Sequence, residues 1–214
     1  MNKKFEIVEH RFFSIHDPYD LQFTDNGLPW SRVYEYPWIL QKMEELLQNP
    51  SKGTIDFHNS CWGWTGCHLS FRKILDQKWS GIHSDILLPN PKSLVSRIQS
   101  YNQHPTLIQD LSAKFPKWMH QAFTITLNVS VLEEMAPAIL KKAIANLYKQ
   151  TATGGHLLIT YDHPMPSTVL LQNWFGRPDE LPSEQILTGR NSAVPNKDNE
   201  DMNCVKLCLR KIGD

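Results

Sequence analysis

A chain of 214 residues that is 41% apolar and holds seven tryptophans can bury one sizeable core, so a single domain is expected. Lys plus Arg and Asp plus Glu each number 22, so no net field draws the chain to nucleic acid or to an anionic membrane, although a local basic patch stays open. The start, MNKKFEIVEH, lacks a signal-like apolar stretch, no run approaches the ~18–20 apolar residues of a membrane span, and cysteines 61, 67, 204 and 208 are too few for a disulfide scaffold.

These bounds predict a soluble cytoplasmic protein with free thiols, whose partner is a small molecule rather than nucleic acid or a membrane. Monomer and homodimer both stay open. Residues 1–36 mix aromatic and polar side chains, with Pro18 and Pro29 interrupting any period, and read as an N-terminal arm or cap on a domain of residues 37–214. From Pro37, residues Ile39, Leu40, Met43, Leu46 and Leu47 recur at helical spacing until Asn49-Pro50 ends the run.

Residues 53–68, GTIDFHNSCWGWTGCH, form the stretch on which the rest is organised. Thr54, Ile55 and Phe57 suit a strand, Gly63 and Gly66 a tight turn, and Leu69, Phe71, Ile74 and Leu75 a helix behind it. Such a turn admits a nucleotide-like ligand to the backbone and to the helix N-terminus. The G-x-G-x-x-G pattern is altered, with Cys61 at the first glycine position and bulky Trp62 and Trp64 between the others, so an ordinary glycine turn is the competing reading. The two tryptophans would either stack on a flat ligand ring or fill core. His58, Cys61, Cys67 and His68 fall within eleven residues and invite zinc. No C-x-x-C pair is present, however, and strand and helix geometry points such side chains apart, so packing is preferred and no metal is expected.

A second strand, Trp79 to Ile86, brings Asp85 nineteen residues after Gly66, the spacing at which an acidic residue meets ribose hydroxyls. The Pro-rich loop after it leads to Ser93, an N-cap for a helix carrying Leu94, Val95 and Ile98; a third strand, Thr106 to Gln109, follows and ends at Asp110. Phe123 to Met135, FTITLNVSVLEEM, gives an apolar strand and turn, Pro137 to Tyr148 an amphipathic helix, and Gly154-Gly155 precedes a strand from His156 to Tyr161 that exits through Asp162-His163-Pro164. Val169 to Phe175 suits a short helix, and Asn191 to Asn203 a mobile loop. The alternation of Val205, Leu207 and Leu209 marks a last strand, antiparallel to one at Glu184 to Leu187. Strand and helix alternate from residue 37 to about 161, as in a parallel sheet covered on both faces.

The glycine turn, the acidic residue after the second strand, the SVLEEM turn and the Gly-Gly pair together resemble class I S-adenosylmethionine (SAM) dependent methyltransferases over roughly residues 34–162. That resemblance implies a Rossmann-like fold: a mostly parallel seven-stranded sheet with an antiparallel C-terminal strand and helices on both faces. It implies SAM as cofactor, contacted by Cys61, Gly63, Trp64, Gly66, Asp85 and Asn128, with Asp110 facing adenine or merely capping a turn. Arg32, just ahead of the first helix, would pair with the methionine carboxylate or stand as a surface arginine. Asp162 and His163 leave the sheet at its ligand-binding edge, where His163 suits a general base toward a small hydroxyl or amine acceptor, or is a plain loop histidine. A repurposed protein of the same fold is the alternative function, supported by Cys61 in place of glycine. The Asn128-Val-Ser sequon lies in a presumed buried strand and is discounted.

Overall fold

The computed structural model describes residues 5–14, 16–24, 31–48, 54–63, 67–86, 106–163, 167–178 and 203–213. Seven strands form one sheet: β1 (Phe5–Phe12), β2 (Ile55–Ser60), β3 (Gly81–Asp85), β4 (Leu107–Ile108), β5 (Phe123–Val129), β6 (Thr151–His163) and β7 (Asn203–Lys211), in the spatial order β1-β7-β6-β5-β2-β3-β4. Strands β4, β3, β2, β5 and β6 are parallel neighbours, and β7 runs antiparallel to both β6 and β1. Every residue of β5 is buried, its threonines and Asn128 included, which fits its place at the centre of the sheet.

Helices α1 (Arg32–Leu46), α2 (Cys67–Lys78), α3 (Pro137–Gln150) and α4 (Thr168–Phe175) flank the sheet. Because strand side chains alternate, Thr160 and His163 point to opposite faces. Glu35 of α1 meets Thr160 on one face, and Gln172 of α4 meets His163 on the other. The two helix layers therefore cover both faces, as expected for the fold class.

Three expectations change. Helix α1 begins five residues before Pro37, so Arg32 to Tyr36 are its first turns rather than an arm leading into it. Pro37 has no N–H to give to Val33, four residues back, and the Asp20 backbone N–H takes its place on the Val33 carbonyl at 2.8 Å. At the other end, β7 has both edges occupied, by β6 and by β1, so Phe5–Phe12 holds the antiparallel position expected of Glu184 to Leu187, which lie outside the described residues. A register shift between Ile7 and Glu9 breaks the period of two in β1 and hides that strand in the sequence. Strand β6, finally, begins at Thr151, ahead of the Gly-Gly pair. Gly154 sits there at φ +82°, and a Cβ on Gly155 would come within 2.5 Å of the Thr124 carbonyl oxygen, so the glycines let β6 run close against β5 where their register shifts. The helix from Ser93 and the loop from Asn191 to Met202 also lie outside the described residues.

Candidate functional site

The turn after β2 keeps a glycine-type backbone without the first glycine. Cys61 has φ 56° and Gly63 φ 73°, both in the left-handed region. Gly63 donates its N–H to Asp85 Oδ2 at 2.9 Å, and Ile86 donates its own to Asp85 Oδ1 at 2.7 Å, so the Asp85 carboxylate ties the tip of β3 to this turn. Trp62 is buried. Its indole N–H donates to Thr106 Oγ1 at 3.2 Å and the Arg72 guanidinium lies 4.5 Å from the ring centroid, while the residue also lines the cavity at the C-terminal ends of β2 and β5. Trp64 and Gly66 lie outside the described residues.

At the C-terminal ends of β2 and β5, where open α/β sheets bind ligands, a cavity of about 130 Å³ is lined by Arg32, Tyr36, Cys61, Gly63, His68 and Val129 among others. Tyr36 stacks on Phe71 with centroids 3.9 Å apart, and its hydroxyl bonds His68 Nδ1. The Cys61 thiol is pushed up by burial and then by Asp85 and Asp110, which keeps it protonated and unreactive. The four zinc candidates diverge: His58 stacks on Phe123 and bonds Ser84 Oγ at 2.7 Å, His68 meets Tyr36, Cys67 is packed in the core, and Cys61 lines the cavity. Among the described residues no group of His, Cys, Asp and Glu is arranged to hold a metal ion.

Beside this cavity lies a buried polar cluster that sequence reasoning did not assemble. Arg32 pairs with Glu35, which also accepts from the hydroxyls of Ser31 (3.0 Å), Ser130 and Thr160 and from the Cys204 thiol at 3.3 Å. Burial opposes the charge on Glu35, but Arg32 and the hydroxyls outweigh it and hold the carboxyl below its ordinary range. Arg32 Nε is buried without a hydrogen-bond partner among the described residues. Asp162 is pushed up to about 7 by burial and by Glu35, and Glu133 to about 8 by burial and by Asp162. Glu133 Oε1 accepts the Asp162 N–H at 3.1 Å, while its Oε2 has no partner among the described residues. Period-two alternation puts Thr160 and Asp162 on the α1 face.

His163 is not brought to the cavity. It faces the other side of the sheet, where Gln172 Nε2 donates to its Nδ1 at 3.4 Å and its ring stands edge-on to Phe12; burial lowers its pKa. Asn128 is also away from the cavity lining, its amide donating to Ser60 Oγ at 3.1 Å. Asp110, exposed past β4, accepts from the N–H and Oγ of Ser112, the partners a turn-capping aspartate needs. Its neighbour Gln109 is buried, and neither Nε2 nor Oε1 has a partner among the described residues. Nothing in the sequence singled Gln109 out, since a lone glutamine at a strand end carries no pattern.

No family model matches this chain, and no curated protein matches it in sequence. Solved structures do. The [4+2]-cyclase SpnF aligns over 96% of this chain and 89% of its own, with TM-score 0.54 and 12% identity. The CurJ carbon methyltransferase aligns over 83% of this chain and 53% of its own (TM-score 0.49, 14% identity). A TehB-like SAM-dependent methyltransferase from Corynebacterium glutamicum aligns over 79% and 85% (TM-score 0.46, 13% identity). The likeness to SpnF, together with the strand order and the antiparallel β7, shows a Rossmann-like fold. In that fold the turn after β2 and the tips of β3 and β4 form one edge, and the cavity lies on it.

Proposed function

We propose that the chain is a SAM-dependent methyltransferase acting on a small-molecule hydroxyl or amine. The observation that carries this reading is the left-handed turn at Cys61 and Gly63, locked to Asp85 at the edge where the class I methyltransferase fold binds ligands. The residues present fit the cofactor in kind. Arg32 Nε is a buried donor suited to a carboxylate, Asp85 at the tip of β3 suits ribose hydroxyls, and the Gln109 amide, without a partner among the described residues, suits the donors and acceptors of an adenine edge. The cavity of about 130 Å³ is below the ~300–1,000 Å³ usual for small-molecule sites, so a nucleoside-bearing ligand must extend beyond it along the strand tips toward Asp85 and Gln109.

When bound, SAM supplies a methyl group already made electrophilic by its sulfonium. The chain's own residues need only orient donor and acceptor and move one proton. Asp162, on the face covered by α1, and Glu133 bonded to its backbone N–H are raised toward neutrality; neither lines the cavity itself, but they suit that proton transfer better than His163 on the opposite face. Calorimetry with SAM and S-adenosylhomocysteine is the first test, and absence of heat at millimolar ligand would refute cofactor binding. Once an acceptor is found, Asp162→Asn should lower turnover on the order of 10²-fold and His163→Ala should leave it within a few-fold; the reverse pattern would return the base role to His163.

A second reading, the same fold turned to a reaction other than methyl transfer, is favoured by the likeness to a cyclase over 96% of this chain and by Cys61 at a glycine position. Cofactor binding without methyl transfer to any acceptor in a broad screen would select it.

A further inference from the structure

Net neutrality conceals a local asymmetry. The segment between β4 and β5 runs alongside α3, and together they enclose a groove of about 640 Å³ whose lining includes Lys114, Lys117, His120, Lys142 and Lys149. The size is within the ~300–1,000 Å³ of real binding clefts. No carboxylate is among the lining residues, and none of the four lysines has an ion-pair partner among the described residues. The walls are fixed. Asn146 Nδ2 donates to the carbonyls of Leu111 at 2.7 Å and Ala113 at 2.8 Å, and Gln121 N–H donates to the Lys149 carbonyl at 2.8 Å, so segment and helix are tied together at two places.

The arrangement has a direction. Lys142 and Lys149 are two turns apart on one face of α3, about 10.5 Å at 1.5 Å per residue, and Lys114 and Lys117 come from the facing segment. That length is more than one phosphate can occupy and suits successive phosphates of one strand. Trp118, on the same 3-10 turn as Lys117, stands next to the groove rather than in its lining; its ring meets Phe123 edge-to-face at 6.4 Å, yet it is 53% exposed, an unusual position for so large an apolar ring. A basic groove beside an exposed aromatic is the arrangement by which proteins hold single strands, the cations tracking phosphates while a ring stacks on a base. The groove opens by the N-terminal end of β5, whereas Val129 at the other end of that strand lines the cofactor cavity, ~20 Å away at strand rise, so the two sites do not overlap.

We propose that this groove binds the phosphate backbone of a single-stranded nucleic acid. The probe is a fluorescein-labelled oligouridylate of about a dozen nucleotides, followed by fluorescence anisotropy at low salt, where non-specific protein–nucleic acid contacts are strongest. Lys142→Glu with Lys149→Glu should weaken binding at least tenfold and flatten the slope of log affinity against log salt by about 1.4, the ~0.7 per lost phosphate contact of a single strand. Trp118→Ala should weaken it several-fold further, as expected when a stacking platform is lost. All three side chains are exposed, so circular dichroism and SAM affinity should be unchanged and separate this proposal from the cofactor reading. No binding at low salt, binding indifferent to the double substitution, tripolyphosphate competing as well as the oligonucleotide per charge, or anionic vesicles bound with the same lysine dependence would each overturn it.

Discussion

Gly63→Val probes the turn that carries the functional reading. At φ +73° an L-residue gives up about 1–2 kcal/mol, and a β-branched one more. Its Cβ would fall 2.6 Å from His68 Cδ2 and 2.8 Å from Cγ, far inside van der Waals contact, so the ring must move. That ring is held by the Tyr36 hydroxyl at Nδ1, and losing the bond adds about 0.5–1.5 kcal/mol. Set against a gain of about 0.5–1 kcal/mol from a stiffer unfolded chain, the net destabilisation is about 1–3 kcal/mol. Urea unfolding followed by circular dichroism should show it as a midpoint lowered by about 0.5–1.5 M, with SAM affinity reduced at least tenfold in the fraction that stays folded. Gly154→Ala is the matched control. Gly154 also has positive φ, but nothing lies within 4 Å of its would-be Cβ, so only the backbone cost of about 1–2 kcal/mol applies, offset by the same gain from a stiffer unfolded chain. If Gly63→Val unfolds no earlier than Gly154→Ala and binds SAM normally, the turn is not the cofactor cradle.

Asp85→Ala leaves the N–H groups of Gly63 and Ile86 without their acceptor, and should weaken SAM binding by about 1–3 kcal/mol in a calorimetric titration. Gln109→Leu removes a buried amide with no partner among the described residues; thermal stability should hold or rise while affinity for SAM and S-adenosylhomocysteine falls about tenfold, and unchanged affinity would remove Gln109 from the site. Asp162 ionises near 3.8 when unfolded and about 7 when folded, so between these values the folded protein holds the extra proton and stability falls as pH rises. Glu133 acts in the same direction up to about 8, and Asp162→Asn with Glu133→Gln should flatten the decline in unfolding free energy between pH 5 and 8 measured in urea.

The parallel half of the sheet was legible because its strands carry their own signal. In FTITLNV the apolar Phe123, Ile125, Leu127 and Val129 alternate with β-forming threonines and one asparagine, and every residue of it is buried. The turn at Gly63 and the acidic Asp85 were legible by spacing, and the structure does join them, through a hydrogen bond of 2.9 Å. The edge strand Phe5–Phe12 was not, since its outer residues face solvent (Val8 is 51% exposed) and a register shift interrupts its alternation. Nor was the start of α1. Pro37 marks a helix boundary by local rules, and only a backbone donor from distant Asp20 makes the earlier start tolerable. The cluster of Ser31, Arg32, Glu35, Ser130, Thr160 and Cys204 brings together residues up to 173 positions apart, three of them ordinary polar residues in sequence, and no local pattern announces it.

The same limit decides which residue at the end of β6 can take part in chemistry. Position along the strand puts Asp162 and His163 equally near the sheet edge, and titration range alone favours the histidine. A strand, however, turns successive side chains to opposite faces, and α1 covers only one of them. Asp162 shares a face with Thr160, and thus with Glu35 and Arg32, whereas His163 shares one with Tyr161, whose hydroxyl bonds His10 at 2.9 Å behind the sheet. Burial then reverses the order of basicity, raising the aspartate toward neutrality and lowering the histidine, so the carboxylate gains the pKa that the imidazole has by default. The proposed base at this edge thus follows from which face α1 covers, and α1 is tied there by Glu35, whose carboxylate accepts from Ser130 after β5, Thr160 of β6 and Cys204 of β7.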